Sequence, residues 1–370
     1  MAKRAYRRVE RLKHAFECST GAQMRNTAVN LVERYMQRTR LISVPTMVQV
    51  EVTNRCNLNC VFCSRHDHAM SLGDLDPALV PEIVRFSSRS RDLILFGYGE
   101  PLISDTFYSF TRDGRSGRLS FTTNGMLMTQ DLLERLLAES NRPIHDITFS
   151  IDGIQPDTYA SVRERSNFET VWQNLETAVS YKTRHNLDLP ELWINFVAMK
   201  RNIEELPDLV DRAARTGVAQ VTVFHLVVWD ESRADQSLIY YPDLASREFK
   251  KAETIAERYG IRIDLPVQIS ENGGPDASNT AMPPCYMPWS YTYVRHDGIV
   301  QACCFSDDFV MGNLGEQSFE DIWNGEKYRR FRATVNTHPP LSCRTCEMRY
   351  RYTRSPDDRA VYIKRKPREK

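Results

Sequence analysis

Between residues 46 and about 230 the chain alternates short apolar runs with stretches of helical period. Residues 47–52, 92–96, 119–122, 147–151, 192–197 and 221–224 have the length and β-branched content of strands. Between them, residues 77–86, 129–139, 168–184 and 204–214 repeat apolar positions at helical spacing. Strands separated by helices predict an α/β fold with a parallel sheet, and six such units make a partial (β/α)6 TIM-like barrel, open on one side. In barrels of this kind the chemistry gathers at the C-terminal ends of the strands.

The pattern changes at both ends. Residues 1–45 read as a basic helical extension, with Lys3, Arg4, Arg7, Arg8, Arg11 and Lys13 at its start. Met24, Ala28, Leu31, Val32, Tyr35 and Met36 fall on one helical face, which is expected to pack on the outside of the main domain. A peptide- or nucleic-acid-binding arm is the other use of such a charge run. Beyond a helix near 247–259, the Glu-Asn-Gly-Gly-Pro run at 271–275 reads as a linker. A smaller unit follows. It has a hairpin, 291–294 and 299–302, turning at Asp297-Gly298, then a helix over 319–332. The expected division is 1–45, a barrel at 46–268, the small C-terminal domain at 269–352, and a basic tail at 353–370.

Cysteine placement adds the chemistry. Cys56, Cys60 and Cys63 stand at C-x3-C-x2-C spacing directly after the first strand. Three soft thiolates on one short loop suit an iron–sulfur cluster, and a cubane held by three thiolates leaves one iron open. Structural zinc prefers C-x2-C pairs closed by a fourth ligand. Farther on, Cys285, Cys303, Cys343 and Cys346 form C-x12-G-x4-C followed by C-x2-C, with Cys304 beside Cys303. Four thiolates on a hairpin and a later loop can converge on one centre, zinc or cluster. Cys18 stands apart and reads as structural.

Composition is that of an ordinary globular chain: 370 residues, 41% hydrophobic, 26% charged, net charge +1. That charge gives no bulk attraction to nucleic acid or anionic lipid. No apolar run approaches membrane-spanning length, and no secretory signal is visible, so a cytoplasmic setting with reduced thiols is expected.

The three-cysteine loop, with Phe62 before its last cysteine, resembles the signature of the radical S-adenosylmethionine (SAM) enzymes. The resemblance implies that Cys56, Cys60 and Cys63 hold a [4Fe-4S] cluster whose open iron is chelated by SAM, with Phe62 near the adenine. Phe96-Gly97-Tyr98-Gly99-Glu100-Pro101 resembles the family's Gly-Gly-Glu motif for the SAM amino group, with Tyr98 in place of the first glycine. Thr123 and Asn124 after the third strand, and Ser150 and Asp152 after the fourth, resemble positions that take the ribose and the carboxylate. Each also fits a helix cap or an Asx turn. Arg163 resembles an arginine that pairs with the SAM carboxylate. His225 closes the sixth strand, where adenine or substrate can approach, and residues 229–245, with Trp229 and Asp230, can cover a substrate.

The C-terminal cysteines resemble the SPASM auxiliary-cluster domain, or its shortened twitch form. The full pattern has further cysteines where Tyr352 and Pro356 stand, which favours a single auxiliary [4Fe-4S] cluster. The resemblance implies a radical SAM oxidoreductase. Its substrate is expected to be a small polar molecule, sugar- or aminocyclitol-like, and its electron donor a flavodoxin or ferredoxin. Cys304 is spare in the ligand count and is the candidate catalytic hydrogen donor, which would make the enzyme an epimerase; a ligand in place of Cys303, or a bystander beside it, are its other readings. Modification of a peptide or protein is a further reading, and a zinc-stabilised binding protein the reading of a different class.

Overall fold

The structure, a computed structural model, describes residues 20–66, 71–113, 117–141, 143–228, 231–266, 284–304, 309–344 and 346. The cations of residues 1–19, Cys18, Trp229, Asp230, the 271–275 run, Tyr352, Pro356 and the 353–370 tail lie outside the described residues.

A helix, α1 (Gly21–Tyr35), precedes β1 (Met47–Val50), β2 (Asn59–Cys60), α2 (Val80–Ser87), β3 (Asp92–Leu95), α3 (Asp105–Arg112) and β4 (Arg118–Thr123). Then come α4 (Gln130–Glu139), β5 (Ile144–Ser150), α5 (Pro156–Val162), β6 (Arg163–Glu164), α6 (Phe168–Arg184) and β7 (Glu191–Ala198). After α7 (Leu206–Thr216), β8 (Gln220–His225), α8 (Pro242–Tyr259) and β9 (Arg262–Asp264) complete the barrel part. All six expected strands pair in parallel, β1-β3-β4-β5-β7-β8, with Val50 opposite Leu95 and Phe121 opposite Ile147. Sequence periodicity missed α3 and α5, both under nine residues. It also missed β9, a three-residue strand that pairs in parallel with β8.

The C-terminal segment is not set apart from this sheet. It contains α9 (Met287–Ser290), β10 (Tyr291–Val294), β11 (Ile299–Gln301), β12 (Val310–Asn313), α10 (Phe319–Trp323), α11 (Glu326–Thr334) and α12 (Leu341–Arg344). The expected hairpin is there, but β10 also pairs in parallel with β1, Met47 opposite Tyr291. One sheet of 10 strands runs β12-β11-β10-β1-β3-β4-β5-β7-β8-β9, and its two ends do not meet among the described residues. Val48, Trp289, Val300 and Trp323 share one core with the barrel strands. The expected helix over 319–332 is two helices. Asn324 leaves the helical path to exchange hydrogen bonds with Leu41 N (2.8 Å) and O (3.0 Å), and a side chain at Gly325 would lie 2.7 Å from Asp321 O.

Helix α1 packs the other way round from the expectation. Its buried residues are Gln23, Asn26, Thr27, Asn30 and Glu33, while the apolar stripe faces outward. The chain entering the sheet leaves backbone groups that only polar side chains can satisfy. Asn26 exchanges hydrogen bonds with Val44 (2.9 and 3.1 Å), Asn30 Nδ2 donates to Trp289 O (2.5 Å), and Glu33 accepts from Ile42 N (2.6 Å) and the Ser43 hydroxyl (2.6 Å). Arg332 joins the same region from α11. It donates to Pro288 O, Thr39 O and Trp323 O at 2.8–2.9 Å, and burial lowers its pKa to about 10.

Candidate active site

A cavity of about 340 Å³ opens at the C-terminal ends of the barrel strands. Every strand from β1 to β8 that belongs to the barrel sends residues from its end, or from the loop after it, into the wall.

Three thiols enter from the loop after β1. Cys56, Cys60 and Cys63 all line the cavity and lie close enough to influence one another's charge. The loop is braced before the first cysteine. Thr53 Oγ1 donates to Gly73 O (3.0 Å), and the Asn54 side chain bonds Gly73 N (2.8 Å) and Ser71 O (2.9 Å). Leu58 N donates to Cys56 Sγ (3.4 Å), Asn124 Nδ2 lies 3.8 Å from the same sulfur, and Arg163 Nη1 lies 3.7 Å from Cys60 Sγ. The short β2 pairs antiparallel with β6, setting Cys60 opposite Arg163. Burial pushes the Cys60 thiol up to about 11 and raises Cys56 as well, so a bound metal must displace these protons. Among the described residues no three His, Cys, Asp or Glu side chains close on a point as the ligands of a single ion would. Three neighbouring thiols around a cavity wall, facing donors that can bond their sulfurs, fit a polynuclear cluster.

The loop after β3 passes under the cysteine loop. A Cβ at Gly99 would stand 2.3 Å from Thr53 O, and one at Gly97 would strike Glu51, so the backbone approach itself requires glycine at both. Tyr98, between them, lines the cavity and donates its N–H to Glu51 Oε2 (2.7 Å). Glu100 is buried on the wall. It accepts from Thr123 Oγ1 (2.8 Å) and Leu102 N (3.3 Å) at one oxygen and from Asn124 N (2.7 Å) at the other. A carboxylate has about four lone-pair sites, so one remains for a ligand. Burial pushes this carboxyl up to about 7, against the opposing pull of its hydrogen bonds and of Arg163.

The remaining expected residues divide. Phe62, Thr123, Asn124, Ser150 and Arg163 line the cavity, and the Arg163 guanidinium lies 5.4 Å from the centre of the Phe62 ring. Asp152 does not. It is fully buried behind the wall, where Oδ1 accepts from Val197 N (2.6 Å) and Oδ2 pairs with Arg163 Nε at 2.7 Å. Arg163 is thus held by Asp152 and aimed at Cys60 and Phe62. His225 lines the cavity, its ring 5.9 Å from that of Phe249.

Cys304 lines the same cavity as the three-thiol loop, whereas Cys303 does not. Cys303 turns to the core, where Tyr328 of α11 faces it. Cys285 is tied to the residues after α11: its N–H donates to Asn336 Oδ1 (2.7 Å) and its carbonyl accepts from Asn336 Nδ2 (3.1 Å). Cys343 lies in α12, packed on the same core, and Cys346 follows, partly buried. Four half-buried thiols, three of them packed against the core, fit a second cluster.

Sequence reasoning missed a polar layer contributed by β1 and β10. Gln49 lines the cavity, donating to Phe96 O (2.8 Å) and accepting from the Tyr291 hydroxyl (2.6 Å). Tyr291 lies against Cys304. Glu51 accepts from the Tyr293 hydroxyl (2.9 Å) and contacts His296 Nδ1 (2.7 Å), and Tyr293 lines the cavity. The available signal was two polar residues, 49 and 51, alternating with Val48, Val50 and Val52.

Comparison with known proteins agrees with this layout. The family model described as the radical SAM superfamily matches residues 50–224. The model described as the SPASM iron–sulfur cluster-binding domain matches residues 285–347. The chain is 23% identical to the tungsten-containing aldehyde ferredoxin oxidoreductase cofactor-modifying protein of Pyrococcus furiosus, over 81% of this chain and 86% of the relative. It is 25% identical to the AdoMet-dependent heme synthase of Methanosarcina barkeri, over 79% and 86%. Among solved structures, Streptococcus suis SuiB bound to S-adenosylmethionine superposes with a TM-score of 0.61 at 15% identity, covering 82% of this chain and 71% of that one.

Proposed function

Since the chain belongs to the radical SAM superfamily and carries a SPASM iron–sulfur domain, we propose that it is an oxidoreductase acting at a carbinol carbon of a small polar molecule. Its cofactors are SAM, the SAM-binding [4Fe-4S] cluster and auxiliary iron–sulfur. When bound, they supply a 5′-deoxyadenosyl radical that removes a hydrogen atom from a C–H bond, and an acceptor for the electron left behind. One observation carries the reading: the cavity lined by the three-thiol loop is lined also by Cys304, next in the chain to Cys303. A substrate there meets both the residues proposed to hold the first centre and the chain neighbour of a residue proposed to hold the second. The wall beyond the thiols presents Gln49, Asn195, His225 and Tyr293, enough polar groups to orient hydroxyl or amino substituents.

The chain's own residues have separable parts. Glu100 takes the SAM ammonium at its remaining lone-pair site, Arg163 and Phe62 set the position of its carboxylate and adenine ends, and Asp152 holds Arg163. Because the Glu100 carboxyl sits near 7 before ligand arrives, its charged form grows as pH rises through that value. SAM affinity should therefore strengthen about tenfold between about pH 6 and about pH 8. Glu100→Gln should flatten the dependence. Equilibrium binding of SAM to the reconstituted protein measures both, and a wild-type profile that falls over this range would remove Glu100 from the ammonium site.

A second reading is favoured by Cys304 itself. A thiol on the cavity wall could return a hydrogen atom to the substrate radical, which would give an epimer and no net oxidation, the thiyl left behind being restored by a proton and by an electron from the auxiliary iron–sulfur centre. Cys304→Ala separates the two. In an oxidoreductase, product formation stays within about twofold, and the product is two daltons lighter than the substrate. In an epimerase, product formation falls on the order of a hundredfold, the loss expected for a missing acid–base or hydrogen-transfer group. Solvent deuterium in wild-type product marks the epimerase.

A further inference from the structure

Helix α1 turns an apolar stripe to solvent. Among the described residues, Leu31, Met24, Met36, Val32 and Tyr35 are 37–89% exposed, and Ile42 just beyond is 77% exposed. A surface helix ordinarily buries such a stripe. Here the polar face is committed to Val44, Trp289 and Ser43, so the stripe has nowhere inward to go. Contiguous exposed apolar residues mark a surface that something covers.

Charge identifies the partner. From residue 20 to 42 the exposed charged side chains are Arg25, Arg38 and Arg40, and the one acid, Glu33, is buried. Residues 1–19 add Lys3, Arg4, Arg7, Arg8, Arg11 and Lys13 against Glu10 and Glu17. The whole chain carries only +1, so this basicity is concentrated rather than general, the C-terminal tail being the other basic stretch. Two copies meeting through this face would oppose arginine to arginine. An apolar stripe bordered by cations is the surface that lies in an anionic lipid headgroup layer.

We infer that α1 and the segment to Ile42 dock the protein on an anionic membrane surface, the Met24–Met36 stripe entering the headgroup boundary and Arg25, Arg38 and Arg40 meeting phosphates. The geometry leaves the active site free. Helix α1 is fastened beside the starts of β1, β3 and β10, through Val44, Ser88 and Ser290, whereas the cavity opens at the opposite ends of the strands.

Co-sedimentation of the full, reconstituted chain with vesicles tests this, using phosphatidylcholine alone and phosphatidylcholine mixed with phosphatidylglycerol. Binding is expected only with the mixture and should weaken in high salt. Each cation near such a surface contributes about fivefold, so Arg25→Gln, Arg38→Gln and Arg40→Gln together should weaken binding about a hundredfold. Val32→Ser with Met36→Ser should also release the protein while the cluster absorption stays unchanged, because both sites are exposed. Equal binding to neutral vesicles, or none to either, overturns the inference. So does a dimer that the serine variant breaks, which assigns the face to a second copy. Vesicle binding that appears only after residues 1–19 are deleted assigns the face to the chain's own N-terminus and overturns it too.

Discussion

Replacing Cys56, Cys60 and Cys63 together by alanine is expected to abolish SAM cleavage, lowering 5′-deoxyadenosine formation on the order of a thousandfold or more, as when residues acting as one unit are removed. Iron content should fall by about four atoms per chain, one cubane. The fold should survive, because the loop is braced through Thr53 and Asn54 rather than through the sulfurs. The effect should be much larger than that of any of Cys285, Cys303, Cys343 or Cys346, since none of those four lines the cavity that holds Glu100 and Arg163. Anaerobic reconstitution followed by iron analysis and chromatography of the nucleoside measures it. Undiminished 5′-deoxyadenosine from the triple variant would disprove the assignment of these thiols.

Asp152→Ala should destabilise the protein by about 3–5 kcal/mol, the cost of leaving a buried charge without its partner. The side chains of Asp152 and Arg163 are 0% and 8% exposed, and their ion pair measures 2.7 Å. Removing the carboxylate also frees Val197 N and loosens the guanidinium that faces Cys60. Stability and cluster retention should therefore fall together. Asp152→Asn keeps an acceptor for Val197 and should lose less stability than alanine while still weakening SAM binding. Guanidinium unfolding midpoints and iron retention after gel filtration give the two quantities. A shift in midpoint no larger than that of an exposed substitution would mean that Arg163 has another counter-charge.

Placing the second iron–sulfur segment within the barrel sheet changes how the parts communicate. Strand β10 pairs directly with β1, and both send side chains to the cavity, Tyr293 from one and Gln49 from the other. Tyr291 connects Gln49 to Cys304 through a single hydroxyl. The part of the wall that carries Gln49 and Tyr293 is therefore built from adjacent strands, where hydrogen bonding fixes positions more firmly than a loop between domains would.

The sequence by itself determined what is local. Alternating runs bounded by helical periods placed all six barrel strands, because side-chain direction in a strand has a period of two wherever it lies. The three-thiol loop was legible because its cysteines lie within eight residues of chain, and Gly97 and Gly99 because such a pair marks a close backbone approach, which the structure directs at Glu51 and Thr53 rather than at a ligand. Tertiary structure decided what depends on distant partners. Helix α1 was read with the wrong face inward, because its own apolar period weighs less than the backbone groups of Val44 and Trp289 that Asn26 and Asn30 satisfy. The pairing of β10 with β1 joins residues about 240 positions apart, and no pattern within either strand specifies it. Asp152 shared the sequence context of a ligand-binding carboxylate but is spent on Arg163, and Cys304 reaches the cavity while Cys303 turns away. Burial and pairing energies depend on what stands across a contact, and in these cases that neighbour comes from elsewhere in the chain.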